Sequence, residues 1–370
     1  MNALFAPLIM GFKIMGHNTE AISPNRRFSK ATFCFFLLGT YLSISFLYRI
    51  ISSATLFSYR MALLIHGTLG CLSYLSIVFN LKGMVNITKK LEILRGKQEY
   101  KPDLKIHRKR LFWISIFNIT LVTITLINSW RLGMQNDSFN SLAATYLHYT
   151  GEVMQLESVI TKIMIISTLF VSQVIPSFTL LFHAAICIGI RSVCKGFQKS
   201  LRGGEKDLQD LGKLQAFYNE LIRTISDYND KMKITMFLMY IGFCLKCLRA
   251  LQGFLFVFNL ESIFYNGPLL LNAIISLLII IFPADEVHNA LAEIFDSVSC
   301  MKFRNVSFLY KSLFILKIQN YTTSLTIWNF DKINKNLFVK TFGMVMSYSV
   351  VFYEIDKASP KNKLEISVAM

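Results

Sequence analysis

The sequence predicts an all-α, polytopic membrane protein with seven transmembrane helices, and three observations carry this prediction. Hydrophobic residues make up 53% of the 370 positions. Charged residues make up only 16%, against about 25% in a typical soluble domain. The third observation is a series of apolar stretches, most of which approach or exceed the roughly 20 residues that a helix needs to cross a bilayer. Too few charges remain to cover a water-facing surface of this size.

The apolar stretches define the spans in chain order, and proline marks three positions in them. The fourth stretch is the longest and contains Pro176, where we expect a kink. The sixth begins at Pro268 and ends just before Pro283. The predicted spans cover residues 31–54, 61–81, 111–130, 160–190, 234–260, 268–282 and 337–353.

The basic residues predict an orientation for the chain. The net charge is +17, from 39 Lys and Arg against 22 Asp and Glu. Most of the Lys and Arg fall in the N-terminal tail and between spans two and three, four and five, and six and seven. Because cytoplasmic segments of membrane proteins concentrate Lys and Arg, the N-terminus is predicted inside and the C-terminus outside. The same bias explains the basic charge without a nucleic-acid partner.

This orientation divides the chain into seven parts. They are a cytoplasmic tail (1–30), spans one to four (31–190), a cytoplasmic helical linker (191–233), spans five and six (234–282), a cytoplasmic helical segment (283–336), the seventh span (337–355) and a short extracellular tail (356–370). Apolar residues recur at helical spacing from Asp207 to Lys233 and again beyond span six. These inner helices either pack together as a cytoplasmic domain, which we favour, or lie on the membrane surface.

Enzymatic and metal functions find no support in the residue pattern. The six histidines are scattered, without the spacings typical of metal sites or nucleophile–base pairs. The seven cysteines form no disulfide framework, and the one CxxC, at Cys244 and Cys247, lies inside an apolar stretch. We therefore predict a protein that is not an enzyme, with no metal and no cofactor. The alternative function is a transporter of small molecules, although no convincing internal repeat is present and intramembrane acids are nearly absent, with Asp285 and Glu286 at the inner end of span six.

The end of the chain resembles the C-terminal signature of the arthropod gustatory receptor family. An aromatic-rich segment from Trp328 leads through Asp331 and Lys332 to a glycine, Gly343, in the last span. Two dipeptides separated by five residues follow, where the family has Thr-Tyr and Gln-Phe. The tyrosine is retained, and the other three positions differ. The family-motif positions are Ser347, Tyr348, Glu354 and Ile355.

This resemblance implies a chemoreceptor for the sensory perception of taste that acts as a ligand-gated, non-selective cation channel in the cell membrane. It implies four subunits, identical or related, that meet along their seventh spans around a central pore. It also implies that the cytoplasmic helices make most of the contact between subunits. Each subunit is expected to bind a small-molecule tastant in the outer half of its bundle.

Helical spacing places a set of seventh-span residues on one face. A small residue lets neighbouring helices approach, an apolar ring gates by dewetting, and a carboxylate ring selects cations. The predicted pore-lining residues are Gly343, Ser347, Val350, Val351 and Glu354. The alternative is that Ser347 bonds its own helix backbone and Glu354 only marks the water interface. In a pore, Glu354 in place of the family glutamine predicts a stronger cation preference.

Two cations deep in the fifth span suggest a ligand site. Lys246 and Arg249 lie three residues apart, so they share one face of the helix. Buried cations in membrane helices usually face the bundle interior, so the pair is a candidate floor for an acidic or polar ligand. Pairing with a carboxylate of the bundle, or snorkelling to the interface, is the alternative. Further candidates for ligand binding, some of them equally suited to anchoring at the interface, are His66, Trp130, Tyr265 and Asn272.

Overall fold

A computed structural model describes residues 57–98, 105–135, 174–203, 208–256, 260–299, 301, 307–320, 325–327 and 331–358. The predicted first span, the N-terminal tail and most of the C-terminal tail lie outside the described residues. The all-α class is confirmed, because helices account for nearly all of the described chain. A short antiparallel pair of two-residue strands adds to it, with Thr326 opposite Lys332.

The helices, in chain order, begin and end as follows. They are α1 (Phe57–Gly96), α2 (Lys105–Gln135), α3 (Ile175–Arg202), α4 (Leu208–Phe256), α5 (Leu260–Ser299), α6 (Phe308–Asn320) and α7 (Lys335–Ala358), with β1 (Thr326–Ile327) and β2 (Asp331–Lys332) between α6 and α7. The predicted spans two, three, five and six fall, in order, within or largely within α1, α2, α4 and α5, and the seventh falls in α7. The second half of the predicted fourth span falls in α3, and its first half, 160–173, lies outside the described residues. Pro176 lies in the first turn of α3, at the edge of the described residues, so its kink stays a prediction.

Helix α4 joins two elements that the sequence analysis separates. The predicted inner helix 207–233 and the fifth span form one helix of 49 residues, about 74 Å long at 1.5 Å per residue. No proline interrupts it, so its backbone hydrogen bonds continue across the change from polar to apolar sequence. Because a bilayer needs only about 20 helical residues, much of α4 extends beyond any membrane.

Helix α5 likewise passes through both prolines that bounded the predicted sixth span. It contains Pro268 and Pro283 and continues to Ser299. Each proline removes one backbone donor, but packing against α3 and α4 supports the helix on both sides. Beyond Pro283, Val287, Ile294 and Val298 point into the core, which matches the helical periodicity seen in the sequence.

Paired side chains fix the relative directions of the helices. Arg191, Gln198 and Arg202 of α3 each contact the residue 95 positions later in α5, so these two helices run parallel. Helix α1 runs antiparallel to α4, since Lys90 pairs with Asp227 at 2.6 Å and Lys97 with Glu220 at 2.7 Å. These directions agree with a chain that crosses a membrane alternately at each predicted span.

The core lies where α3 meets α1, α4 and α5. The inner part of α4 is packed rather than laid on a surface, with Leu221, Ile225 and Tyr228 fully buried. Phe197 of α3 stacks on Phe217 of α4 with ring centroids 5.1 Å apart. The segment 208–233 is therefore packed in the core, as the favoured interpretation expects, and its cytoplasmic location stays a prediction.

Three of the described helices, α3, α4 and α5, contain segments long and apolar enough to cross a membrane. Helix α2 exposes a continuous apolar face that includes Phe112, Trp113 and Ile116, as expected for contact with lipid. The spans predicted in α1, α2 and α7, and the sidedness of the bundle, stay predictions.

Candidate pore and ligand site

Helix α7 has one covered face and one bare face. The covered face carries a residue at every fourth position, and all of them are buried against α4 and α5. These residues are Leu337, Thr341, Val345 and Ser349. The five residues predicted to line a pore lie on the opposite side of the helix, as a period of 3.6 residues requires. All five are exposed in the single chain, with Val350 at 53% and Val351 at 50%.

The polar members of this face have different environments. The hydroxyl of Ser347 donates to the carbonyl oxygen of Gly343 at 3.0 Å, which is the backbone bond that the alternative interpretation expects. The hydroxyl oxygen of Ser347 keeps its acceptor capacity on the exposed side. Glu354 is exposed one turn beyond Val350 and Val351. The structure brings these residues together on one surface, and their role in a pore stays a prediction.

The other two family-motif residues flank the bare face. Tyr348 and Ile355 are both more than half exposed and lie about two turns apart on the same edge of α7. The motif therefore occupies the bare face and one of its edges, not the side that packs on the rest of the chain.

Two polar contacts, neither predictable from the sequence, hold the N-terminal part of α7 to α4 and α5. The hydroxyl of Thr341 donates to the Leu337 carbonyl at 2.6 Å, so the Tyr240 hydroxyl of α4 is the donor in its bond with Thr341. The second contact joins Asp285 of α5 to Lys335, the first residue of α7. The sequence gives only one signal for it, an acidic residue directly after the sixth span.

The predicted ligand residues on α4 lie in the interior. Lys246 is only 3% exposed, and its Nζ lies 4.8 Å from the centroid of the Phe243 ring, a favourable cation–π contact. Arg249 is partly buried one turn further along α4. A Cβ at Gly253 would collide with the Asn266 side chain, so this glycine allows α4 and α5 to approach closely.

Asn272 of α5 brings an unsatisfied donor to the same level. Helices α4 and α5 are antiparallel, so the Gly253–Asn266 contact places Asn272 level with Cys247, next to Lys246. Asn272 is 2% exposed, and its Oδ1 accepts the Ser276 hydroxyl at 3.3 Å. Its Nδ2 makes no hydrogen bond, and leaving a buried donor unpaired costs about 1–3 kcal/mol. A ligand or water at this position would satisfy it.

The remaining candidates cannot be added to this site. His66, Trp130 and Tyr265 lie in α1, α2 and α5 respectively, and their side chains lie outside the described part of the structure. Among the described residues, no group of three or more His, Cys, Asp or Glu side chains is arranged to hold a metal ion.

A second buried polar cluster lies between α3, α4 and α5. Nε2 of His183 donates to the carbonyl oxygen of Ile280 at 3.1 Å, and its Nδ1 accepts from the Tyr228 hydroxyl at 2.5 Å. Because a carbonyl can only accept, this pair of bonds fixes the tautomer of the neutral ring. The cluster is enclosed by apolar side chains, so it ties the three helices together and offers no access to a ligand.

The fold matches that of a solved insect olfactory receptor. The structure of receptor OR5 from Machilis hrabei in complex with eugenol superposes with a TM-score of 0.74, over 96% of this chain and 100% of that chain, at 13% sequence identity. The structure of the same receptor described without eugenol gives 0.68 over the same shares at 14% identity. No protein-family model and no curated protein matches the sequence. The likeness shows that this chain has the fold of that receptor.

Proposed function

We propose that this chain is a chemosensory receptor subunit of the gustatory type that forms a ligand-gated, non-selective cation channel. The olfactory-receptor fold over 96% of the chain supports this proposal. The C-terminal signature supports it independently, because Ser347, Tyr348, Glu354 and Ile355 occupy the spacing of the gustatory receptor motif. Taste is the sensory modality that this signature favours, and the plasma membrane is the proposed location.

The bare face of α7 is the observation that carries the proposal. It combines a small residue, a hydroxyl, two valines and a carboxylate in one exposed row. A carboxylate facing lipid is costly, whereas a row of this composition suits an aqueous pore with an apolar constriction. Four copies arranged around an axis, identical or related, would cover the bare faces and place Glu354 in a ring.

The proposed ligand is a small molecule held between α4 and α5. The buried ammonium of Lys246 and the unsatisfied Nδ2 of Asn272 are donors at one level of the bundle, so the site favours a compound with an acidic or acceptor group. The Machilis hrabei receptor binds eugenol, a small phenol with two oxygen acceptors. We therefore include eugenol among the compounds to be tested.

The test is whole-cell recording from cells that express the chain, with sugars, bitter compounds, amino acids, acids and eugenol applied in turn. A ligand-evoked current is expected. A carboxylate 4 Å from a cation contributes about 1 kcal/mol in water. We therefore expect Glu354→Gln to lower the cation-to-anion permeability ratio by about fivefold, measured from the reversal potential in a salt gradient.

The matched control is Glu293→Gln, which removes an exposed carboxylate from α5 far from the bare face. If the selectivity of the current is the same in both variants, the proposal of a channel would stand, but the proposal that Glu354 lines its pore would be contradicted. Ligand uptake without any current would contradict the channel and favour a transporter. Purified protein that fails to form tetramers, with or without related receptors, would contradict the arrangement around α7.

A further inference from the structure

A buried carboxylate fixes the start of α7 to α5. Asp285 is 7% exposed, and its Oδ1 accepts the backbone N–H of Lys335 at 3.3 Å. Its Oδ2 lies 3.4 Å from the Lys335 Nζ and accepts the Nδ2–H of Asn289 at 3.0 Å. One carboxylate therefore binds both the backbone and the side chain of the first residue of α7.

The chemistry of this contact favours a firm attachment. The first N–H groups of a helix have no partner within the helix, and a negative charge beside them is stabilised by the helix dipole. Asn334 caps the same end from within the chain, because its Oδ1 accepts the N–H of Leu337 at 3.1 Å. The first turn of α7 thus has two side-chain acceptors, and Asp285 is the one that comes from another helix.

Asp285 lies two residues beyond a weak point of α5. Pro283 removes one backbone hydrogen bond, so bending is easier there than elsewhere in the helix. On the other side of the proline, His183 of α3 holds the Ile280 carbonyl. Helix α5 is therefore held by α3 on both sides of the proline, at Ile280 before it and at Glu286 after it, and it holds α7 through Asp285.

The same helix carries the proposed ligand donor. Asn272 precedes Asp285 by 13 residues, about 20 Å along the helix. Glu354, at the far end of the bare face, lies 19 residues beyond Lys335, about 28 Å along α7. A small change in the direction of α5 beyond Pro283 would be carried through Asp285 to the start of α7 and enlarged along its length.

We propose that Asp285 is a positioning residue that attaches α7 to α5 and transmits a ligand-induced change of α5 to the pore face. We call its contact with the backbone and side chain of Lys335 the clasp. The clasp itself follows from the contacts of this structure. The transmission rests on the proposed function, since it presumes a ligand between α4 and α5 and a pore along α7. Asp285 contacts neither ligand nor ion in this proposal.

The first arm tests the clasp by amide hydrogen exchange on the purified full-length protein. Asp285→Asn loses the ion pair and weakens the bond to the Lys335 N–H. Lys335→Met removes only the ammonium from a side chain at the surface, so it tests the clasp even if the buried substitution impairs folding. We expect about tenfold faster exchange in the first turn of α7 for Asp285→Asn, a smaller increase for Lys335→Met, and no change in α3. Wild-type exchange rates in both variants would overturn the clasp.

The second arm tests the transmission by current. Coupling between sites typically amounts to a factor of about 5–150, so we expect Asp285→Asn to reduce the current evoked by eugenol, or by the most effective compound of the panel, about tenfold at equal surface expression. The thermal shift that the compound gives the purified protein should stay the same. The control is Asp296→Asn, an exposed acid on the same helix.

Dose–response curves that coincide for Asp285→Asn and Asp296→Asn would overturn the transmission. A reduced current with an equally reduced thermal shift would also overturn it, because the carboxylate would then affect binding. A wild-type chain that passes no current with any compound would contradict the proposed function and, with it, the transmission. The clasp would still be decided by hydrogen exchange, so the two failures are distinguishable.

Discussion

Helices α3 and α7 differ in how much of their surface the rest of the chain covers. Every residue of α3 from Thr179 to Ile190 is buried, so this helix is enclosed by its neighbours on all sides. Helix α7 is buried along one stripe of its surface and exposed along the rest. A helix enclosed within its own chain stabilises the fold, whereas a half-covered helix leaves a surface available for partners.

This difference separates stability from assembly. Substitutions in α3 are expected to change the free energy of unfolding of the single chain, because they change packing that the chain itself provides. Substitutions on the bare face of α7 are expected to leave that free energy nearly unchanged and to act on assembly or conduction. Three tests, from the largest expected effect to the smallest, examine this separation.

The largest effect is expected for a phenylalanine in the core, compared with one that is partly exposed. Phe182 of α3 is fully buried, whereas Phe342 of α7 is 43% exposed. Phe182→Ala should lower the free energy of unfolding by about 3–5 kcal/mol, because it leaves a cavity in the core. Phe342→Ala should lower it by less, about 1 kcal/mol, because the Phe342 ring is only partly covered and stacks on Phe338. Thermal unfolding of the purified variants in detergent measures both.

The same chemical change is made in both helices, so the pair isolates the effect of burial. Equal destabilisation by the two substitutions would contradict the comparison and would mean that the partly exposed flank of α7, where Phe342 lies, contributes as much to the fold of the single chain as the core does. A loss of tetramers in Phe342→Ala, with the stability of the single chain little changed, would support the comparison, because this surface of α7 would then act in assembly.

The next effect concerns the polar cluster that ties α3 to α4 and α5. Tyr228→Phe removes the hydroxyl that donates to His183 and leaves the buried Nδ1 acceptor with only a weak contact to Cys187 Sγ at 4.0 Å. A buried acceptor left unsatisfied costs about 1–3 kcal/mol, so this is the expected loss in the free energy of unfolding. Tyr310→Phe, which removes an exposed hydroxyl from α6, is the control. A loss no larger than that of the control would show that the cluster does not stabilise the fold.

The sequence predicts the all-α class and the shared face of the five candidate pore residues of α7 because both depend on local properties. Apolar composition and length indicate membrane helices, and a period of 3.6 residues determines which side chains share a face. Gly343, Ser347 and Glu354 therefore lie together as predicted, whatever the rest of the chain does. Asn272 is predicted as a ligand-binding residue only from its place in the sixth span. Its unsatisfied Nδ2 is evident only in the structure.

The ties between helices were not predictable, since they depend on how distant segments are aligned. Asp285 and Lys335 are 50 residues apart, and Tyr240 and Thr341 are 101 apart. None of these four residues is unusual for the segment in which it lies. The bounds of α4 are not predictable for a different reason, because hydropathy changes near residue 233 while the helix backbone continues without a break.

The smallest effect is expected for the hydroxyl that joins α4 to α7. Tyr240→Phe removes the donor to Thr341. The Thr341 hydroxyl still donates to the Leu337 carbonyl, so no donor is left unsatisfied and the loss should be about 0.5–1.5 kcal/mol, the net value of one hydrogen bond. The loss should also be confined to α7, with faster hydrogen exchange around Thr341 and unchanged exchange in α3. An equal increase in exchange rate in both helices would mean that α7 and the enclosed core unfold as one unit. Helices α3 and α7 would then differ in solvent exposure but not in stability.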